Sequence, residues 1–260
     1  MNHSISCTYI GHATNIIRFG ESSIITDPHF RNRIFTQRRL IPLPVEPWRL
    51  PDFDLVLLSH VHCGHFDVSS YKYISCKTPI IVPDGTERAV GQFIPNPVIE
   101  LSHFSSHKLH NGITVTALPV RAPFFKFFPI RYRGASAYLI RSTDGDRAVY
   151  FCGDSAYGDH FKEASDICKI DAALLPIGAY EPKWMMKNLH MTPEEAVAAS
   201  EDLRTGDMIP ICHGTFRLSM EKPEAPKERL SSIVASNPDL QNRVHILAPG
   251  ESFDLKSKKL

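Results

Sequence analysis

Three histidines that follow a short apolar run are the residues of this 260-residue chain best suited to chemistry. Residues 55–58 read as a buried strand that leads directly into Ser59-His60-Val61-His62-Cys63-Gly64-His65. Histidines at i and i+2 on an extended backbone point the same way. The turn that Gly64 permits can then swing His65 back toward them. Imidazoles converging at a strand end suit Zn²⁺ or Fe²⁺, with bonds of about 2.0–2.1 Å to nitrogen. Such an ion needs donors from more than one loop, so later strand exits matter. Residues 149–152 empty into Gly153-Asp154, where a carboxylate could join the histidines or merely form a turn or cap. Residues 209–211 lead into Cys212-His213. These neighbours face opposite sides if both stay extended, so one of them is expected to ligate. Cys212 can equally be read as a small buried hydrophobe.

The elements that must position these residues alternate along the chain. Apolar runs and period-two patterns predict strands over 7–10, 15–19, 22–26, 54–59, 79–82, 97–101, 113–118, 136–141, 147–152, 171–176, 208–212 and 244–247. Helices are predicted over 68–75, 86–93, 160–165 and 224–236. A further helix follows Thr192, where Thr192, Pro193 and Glu195 form a capping box ahead of a run to Leu203. No repeat, low-complexity tract or linker interrupts the pattern. The expectation is one α/β domain over residues 1–260, with two mixed sheets between helical layers.

Composition excludes some functions. A chain with 43% hydrophobic and 22% charged residues is ordinary for a globular protein, and a net charge of +1 gives no field to recruit nucleic acid. No run reaches the roughly 18 apolar residues of a membrane span. Six cysteines without framework spacing or a CxxC pair read as reduced thiols. The first residues lack the layout of a signal peptide. A cytoplasmic location is the expectation.

Seven blocks recur in order over nearly the whole chain. They are Tyr9-Ile10-Gly11-His12-Ala13-Thr14, Thr26-Asp27-Pro28-His29-Phe30, Ser59 to His65, and Cys152-Gly153-Asp154-Ser155. Leu175-Pro176-Ile177-Gly178-Ala179-Tyr180, His190-Met191-Thr192-Pro193-Glu194-Glu195-Ala196 and His213-Gly214-Thr215-Phe216 complete the series. Together they resemble the metallo-β-lactamase superfamily, in the branch of N-acylphosphatidylethanolamine phospholipase D and the ascorbate-6-phosphate lactonases. The resemblance implies a four-layer αββα sandwich of two mixed β-sheets flanked by helices, and metal-dependent hydrolysis. The metal shell departs from the branch at three positions. Gly64 stands where the branch has Asp, Ala122 where it takes a histidine, and Cys212 where another histidine is usual. His60, His62, His65 and Asp154 keep their places.

By this resemblance, His60, His62 and Asp154 form a set with an open position, sufficient for one catalytic metal. His65, a bridging Asp154 and a Cys212 thiolate form a second, softer site. One Zn²⁺ is expected rather than two, with Fe²⁺ and Mn²⁺ as alternatives. Hydroxide generated on the metal would attack a phosphodiester, lactone or similar ester of a small molecule or lipid. Arg121, beside the vacated histidine slot, is expected to grip a phosphate, to replace a metal's charge, or to lie in solvent. His190 reads as a catalytic, substrate-side residue or as a neighbour of the helix cap. His12 and Asp27 are expected to orient the ligands through hydrogen bonds. His103, His107 and His110 read as solvated loop residues, one of which could replace the missing ligand. Phe124, Phe125, Phe127 and Phe128, interleaved with Lys126, Arg131 and Arg133, suit a lid, a homodimer contact or a peripheral membrane contact. The rival reading is a weakened or non-enzymatic relative acting as a binding module, which Gly64 and Ala122 favour. An iron-dependent redox role is a third.

Overall fold

Alternation along the strands sets the layers. Leu55 and Leu57 face one way and Val56 and Leu58 the other, and all four are fully buried. A strand apolar on both faces needs cover on both, which calls for a second sheet on one side and helices on the other. The computed structural model describes residues 4–122, 134–144 and 146–255. Its strands run β1 (Ile5–Gly11), β2 (Thr14–Phe19), β3 (Ser22–Thr26), β4 (Arg33–Ile34), β5 (Gln37–Arg38), β6 (Leu55–Leu57), β7 (Ile80–Pro83) and β8 (Val98–Leu101). They continue as β9 (Ser106–Lys108), β10 (Thr114–Leu118), β11 (Ala137–Arg141), β12 (Ala148–Phe151), β13 (Ala172–Pro176), β14 (Asp207–Ile211) and β15 (Ser252–Leu255). Helices are α1 (Glu87–Gly91), α2 (His160–Ser165), α3 (Lys183–Met186), α4 (Pro193–Asp202), α5 (Ala225–Ser236) and α6 (Pro238–Gln241).

A seven-stranded sheet ordered β15-β1-β2-β3-β6-β7-β8 packs on a six-stranded sheet ordered β14-β13-β12-β11-β10-β9. Both are mixed: β1, β2 and β3 pair antiparallel, whereas β3-β6-β7-β8 and β12-β13-β14 are parallel. The core between them joins Ile17, Leu57 and Ile81 to Val115, Phe151 and Leu174. The outer face of the second sheet, including Tyr150 and Leu175, is covered by Phe161 of α2, Ala196 and Ala199 of α4 and Leu230 of α5. Tyr71, Ile74 and Val90 cover the outer face of the first. The result is the expected αββα sandwich. Its two halves are also tied by polar bonds: the Tyr138 hydroxyl donates to the Leu58 carbonyl at 2.8 Å, and Ser136 N–H donates to Ser59 O at 2.9 Å.

Some expectations need correction. Residues 68–75 form a short 3₁₀ helix (Val68–Tyr73), not an α-helix. Residues 244–247 do not make a strand. Only a bridge at Val244 touches Met208, supported by two backbone bonds, because the chain leaves β14 within one residue pair. The edge strands β9 and β15 and the β4-β5 hairpin are too short to carry a readable period. The phenylalanine-rich run containing Phe124 and Phe128 lies outside the described residues. No helix among the described residues is long and apolar enough to cross a membrane.

Candidate metal centre

The loops at the carboxyl ends of the parallel strands converge, as ligand sites in such sheets do. Asp27 leaves β3, Ser59 and His60 leave β6, Asp154 leaves β12 and Cys212 leaves β14. Asp27 is fully buried and accepts from Ser59 N–H at 2.7 Å, the Ser59 hydroxyl at 2.6 Å and His65 Nδ1 at 2.6 Å. With its proton directed to Asp27, Ser59 Oγ accepts from His60 Nδ1 at 3.0 Å. This chain assigns the tautomers: His60 presents the lone pair of Nε2, and His65 has only Nε2 left for another partner.

Both Nε2 atoms face the same carboxylate. Asp154 Oδ2 is 3.1 Å from His65 Nε2 and 3.8 Å from His60 Nε2. The approach depends on Gly153, at φ +64°, because a Cβ there would lie 2.7 Å from Ser59 Oγ and overlap Ser59 Cβ. Burial keeps His60 well below the ordinary imidazole range, reinforced by the neighbouring His65, so it is a neutral donor. Burial alone would lower His65 too. The Asp154 and Asp27 carboxylates outweigh it and hold His65 up at about 10. Burial would raise Asp154, but His65 and His190 hold it well below the usual carboxylate range. A proton thus occupies the position that a cation would share.

A second set of donors also includes His65. His12, His65 and Cys212 offer one atom each within 4.8 Å of one another, as do His60, His65 and Asp154. Zinc bonds of about 2.0–2.3 Å place ligand atoms roughly 3.3–3.8 Å apart at tetrahedral angles. Either set fits an ion after small side-chain movements. Cys212 and His213 do face different ways: His213 stacks on Tyr9 with ring centroids 5.5 Å apart, leaving Cys212 for the cluster. Burial and the nearby Asp154 push the Cys212 thiol well above its ordinary range. His12 was expected only to orient ligands, but its ring is itself part of a donor set. His12, Asp27 and Cys212 all sit in the left-handed region, at φ 58°, 36° and 57°. Such conformations cost energy in non-glycine residues and cluster at functional sites.

A cleft of about 410 Å³ opens over the first set. Asp154, His60, His62, His65, Ala122 and His190 line it, with Ile34, Phe35, Met185, Met186, Leu189 and Leu218 as apolar walls. His62 was expected to ligate beside His60, yet it is exposed and lies outside both tight sets. Its ring stacks 5.8 Å from that of His60 and is 6.5 Å from that of His65. His65, also an expected ligand, joins His60 and Asp154 because the turn at residues 62–65 folds back on Ser59 and Asp27, and His62 lines the same cleft. Ala122 lines the cleft and supplies no donor atom there. His190 Nδ1 lies 3.9 Å from Asp154 Oδ2 at the cleft wall. Arg121 is exposed, and its guanidinium donates to Tyr157 O at 3.1 Å and Asn188 Oδ1 at 3.0 Å. Those bonds make it a tether for the segment leading to His190 rather than an anion grip. Arg217, which the sequence reading passed over, is the arginine that lines the cleft among the described residues. Its only sequence signal was its position just after the block ending in Phe216. His103 Nε2–H donates to Ala135 O at 3.1 Å, and His107 lies on β9. Neither they nor His110 joins a donor set among the described residues.

An αββα sandwich with histidines, a carboxylate and a thiol at its strand ends defines a metal-binding hydrolase-like class of protein. Residues 22–213 match the model of the beta-lactamase superfamily domain, and the chain belongs to this metallo-β-lactamase superfamily. It is similar to the N-acyl-phosphatidylethanolamine-hydrolyzing phospholipase D 1 of Caenorhabditis elegans, at 32% identity over 90% of this chain and 71% of the relative. It is also similar to a metal-dependent hydrolase of Aeropyrum pernix, at 27% identity over 97% of this chain and 98% of the relative. The structure of Igni18, a metallo hydrolase from Ignicoccus hospitalis, shares the fold with a TM-score of 0.75 and 19% identity. That match covers 98% of this chain and 100% of the other.

Proposed function

We propose that this protein is a metal-dependent hydrolase of a lipid-like phosphodiester or similar ester. The observation that carries the reading is the convergence of His60, His65 and Asp154 at the floor of a cleft with apolar walls. His65 and Asp154, with His60 or with Cys212 and His12, would hold the ion. When bound, the metal supplies Lewis acidity and a water acidic enough to attack near neutral pH. The protein's own groups do the rest. Asp27 fixes the His65 ring, and Asp154 sets its carboxylate between the histidines. Arg217 balances the negative charge of a phosphate in the cleft, and His190 delivers a proton from Nδ1 to the leaving oxygen. Ile34, Phe35, Met185, Met186 and Leu218 receive the apolar part of the substrate. Phe35 is 82% exposed, and Trp184 (78%) and Met220 (71%) stand nearby on the rim of adjoining grooves, which supports a substrate drawn from an interface. The name of the Caenorhabditis elegans relative supports a phospholipid substrate.

The test compares hydrolysis of bis(p-nitrophenyl) phosphate with that of a diacyl phosphodiester in mixed micelles. The micellar substrate should be preferred, a chelator should abolish turnover, and added Zn²⁺ should restore it. Asp154→Asn should lower kcat/KM about 10³-fold, consistent with loss of metal-centred charge stabilisation. A protein that carries about one metal per chain yet hydrolyses neither substrate would be a binding module instead.

A further inference from the structure

Hydrolysis consumes one water for each bond broken: the hydroxyl goes to the phosphorus or acyl carbon and the proton to the leaving oxygen. A substrate seated in the cleft lies against Ile34, Phe35 and Met186 and displaces water from it. Refilling through the cleft must then wait until product leaves. A second cavity, of about 30 Å³, also borders Asp154. Accepting the hydrolase reading above, we infer that this cavity is a water site that refills the cleft from within the protein, and that His213 is the positioning residue that holds the water.

Three observations lead to this assignment. The first is size. A water needs roughly 10–15 Å³, so this cavity admits one or two and is too small for a substrate. The second is position: Asp154, Ala179, His190, Arg217 and Leu218 line both the cavity and the cleft. The two spaces therefore meet at the groups proposed to deliver a proton and to balance charge. The third is an unpaired nitrogen. His213 lines the cavity and not the cleft, and it is 8% exposed. Its ring donates to the Pro210 carbonyl and stacks on Tyr9, which fixes its plane. Nε2 has no hydrogen-bond partner among the described residues. With the proton of Nδ1 given to Pro210, Nε2 presents a lone pair. A buried acceptor of that kind is costly until something donates to it, and a water O–H does so. The rest of the wall supplies further partners. The Glu221 carboxylate accepts from Ala179 N–H at 2.6 Å, from Glu181 N–H at 3.1 Å and from the Ser219 hydroxyl. Those bonds fix two polar side chains at the cavity, beside the Asp154 carboxylate, and a buried water needs two to four such partners.

The test pairs crystallography with kinetics on the full chain. A crystal structure fine enough to show waters should place one in the cavity, within hydrogen-bond distance of His213 Nε2. His213→Phe keeps a ring on Tyr9 but removes the acceptor, so that water should vanish. On the micellar diacyl phosphodiester its kcat should fall about tenfold at unchanged KM, because refilling then waits on product release. Bis(p-nitrophenyl) phosphate leaves room for water in the cleft, so the loss on it should be at least about fivefold smaller. His213→Gln offers the water a carbonyl oxygen and should recover most of the lost kcat, a rescue that a purely structural ring would not show. Thermal melts confirm that both variants are folded. An empty cavity in the parent crystal structure overturns the inference, as does an equal loss on both substrates or no loss on either, and all three leave the hydrolase reading intact. A protein that hydrolyses neither substrate, even with added Zn²⁺, overturns that reading and the refilling role with it, whereas the water site stands or falls on the crystal structure alone.

Discussion

The two donor sets that share His65 have different surroundings. Toward His60 the surface is open: His62 is exposed, Ala122 lines the wall, and the cleft holds about 410 Å³. Toward Cys212 it is closed: His12 and Cys212 are buried, their backbones are bonded to each other, and the cavity is about 30 Å³. The open side has room for a substrate above three buried donors, His60, His65 and Asp154. The closed side has fixed donors but no room for anything larger than an ion. His65 belongs to both donor sets, and Asp154 lines both cavities. These surroundings also bear on Gly64 and Ala122. Both positions line the open cleft; at Gly64 the His12 ring stands where a Cβ would reach, and at Ala122 no donor is offered.

The comparison can be broken or sharpened at several points. The largest effect is expected from Asp27→Asn, which releases the His65 ring from both sides at once. Zinc affinity measured by competition with a chromophoric chelator should fall about 10–100-fold. A change below twofold would mean that His65 does not need Asp27 to hold its ring. Next, Ala122→His returns an imidazole to the open wall. Metal analysis should then find a second Zn²⁺ per chain, whereas unchanged stoichiometry would show that the open side lacks more than one donor.

A smaller effect concerns pH in the metal-free protein. His65 is raised from an ordinary 6.5 to about 10, so its contribution to stability is complete below 6.5 and fades as pH rises through 10. Asp154 is lowered, so its contribution is present above 3.8 and fades as pH falls through its depressed value. His12 and His60 are both held low by burial and stay neutral in between. Thermal melts of chelator-treated protein should therefore drop between pH 7 and 10. Zinc-loaded protein should drop less, because the metal stands where the proton was. Equal drops with and without zinc would refute the shared position. The smallest effect lies away from both sides. Thr192 accepts from Glu195 N–H at 3.3 Å while Glu195 returns the bond at 2.9 Å, so Thr192→Ala should cost about 1 kcal/mol of stability by denaturant unfolding and leave metal affinity unchanged.

Much of this was legible in the amino-acid sequence. The strand preceding His60, the Gly153-Asp154 exit and the capped helix after Thr192 could all be read from it, whereas the residues alone left Cys212 and His213 open as donors and only the resemblance put Cys212 in the ligand slot. Apolar runs and local capping chemistry are short-range signals, and strand ends announce themselves where such runs stop. The parts that could not be read are contacts across the sandwich. Nothing local distinguishes a histidine at 62 that faces solvent from one at 65 that folds back onto Asp27. Nor does the neighbourhood of Arg121 reveal that Tyr157 and Asn188 will engage it while Arg217 faces the cleft. The sequence by itself determined which elements form and which donor types reach the strand ends, because hydrophobic periodicity and turn chemistry act over a few residues. Tertiary structure alone decided that His12 shares a donor set with Cys212. The left-handed turns at residues 12 and 212 and the close approach over Gly64 exist only once the two sheets have packed.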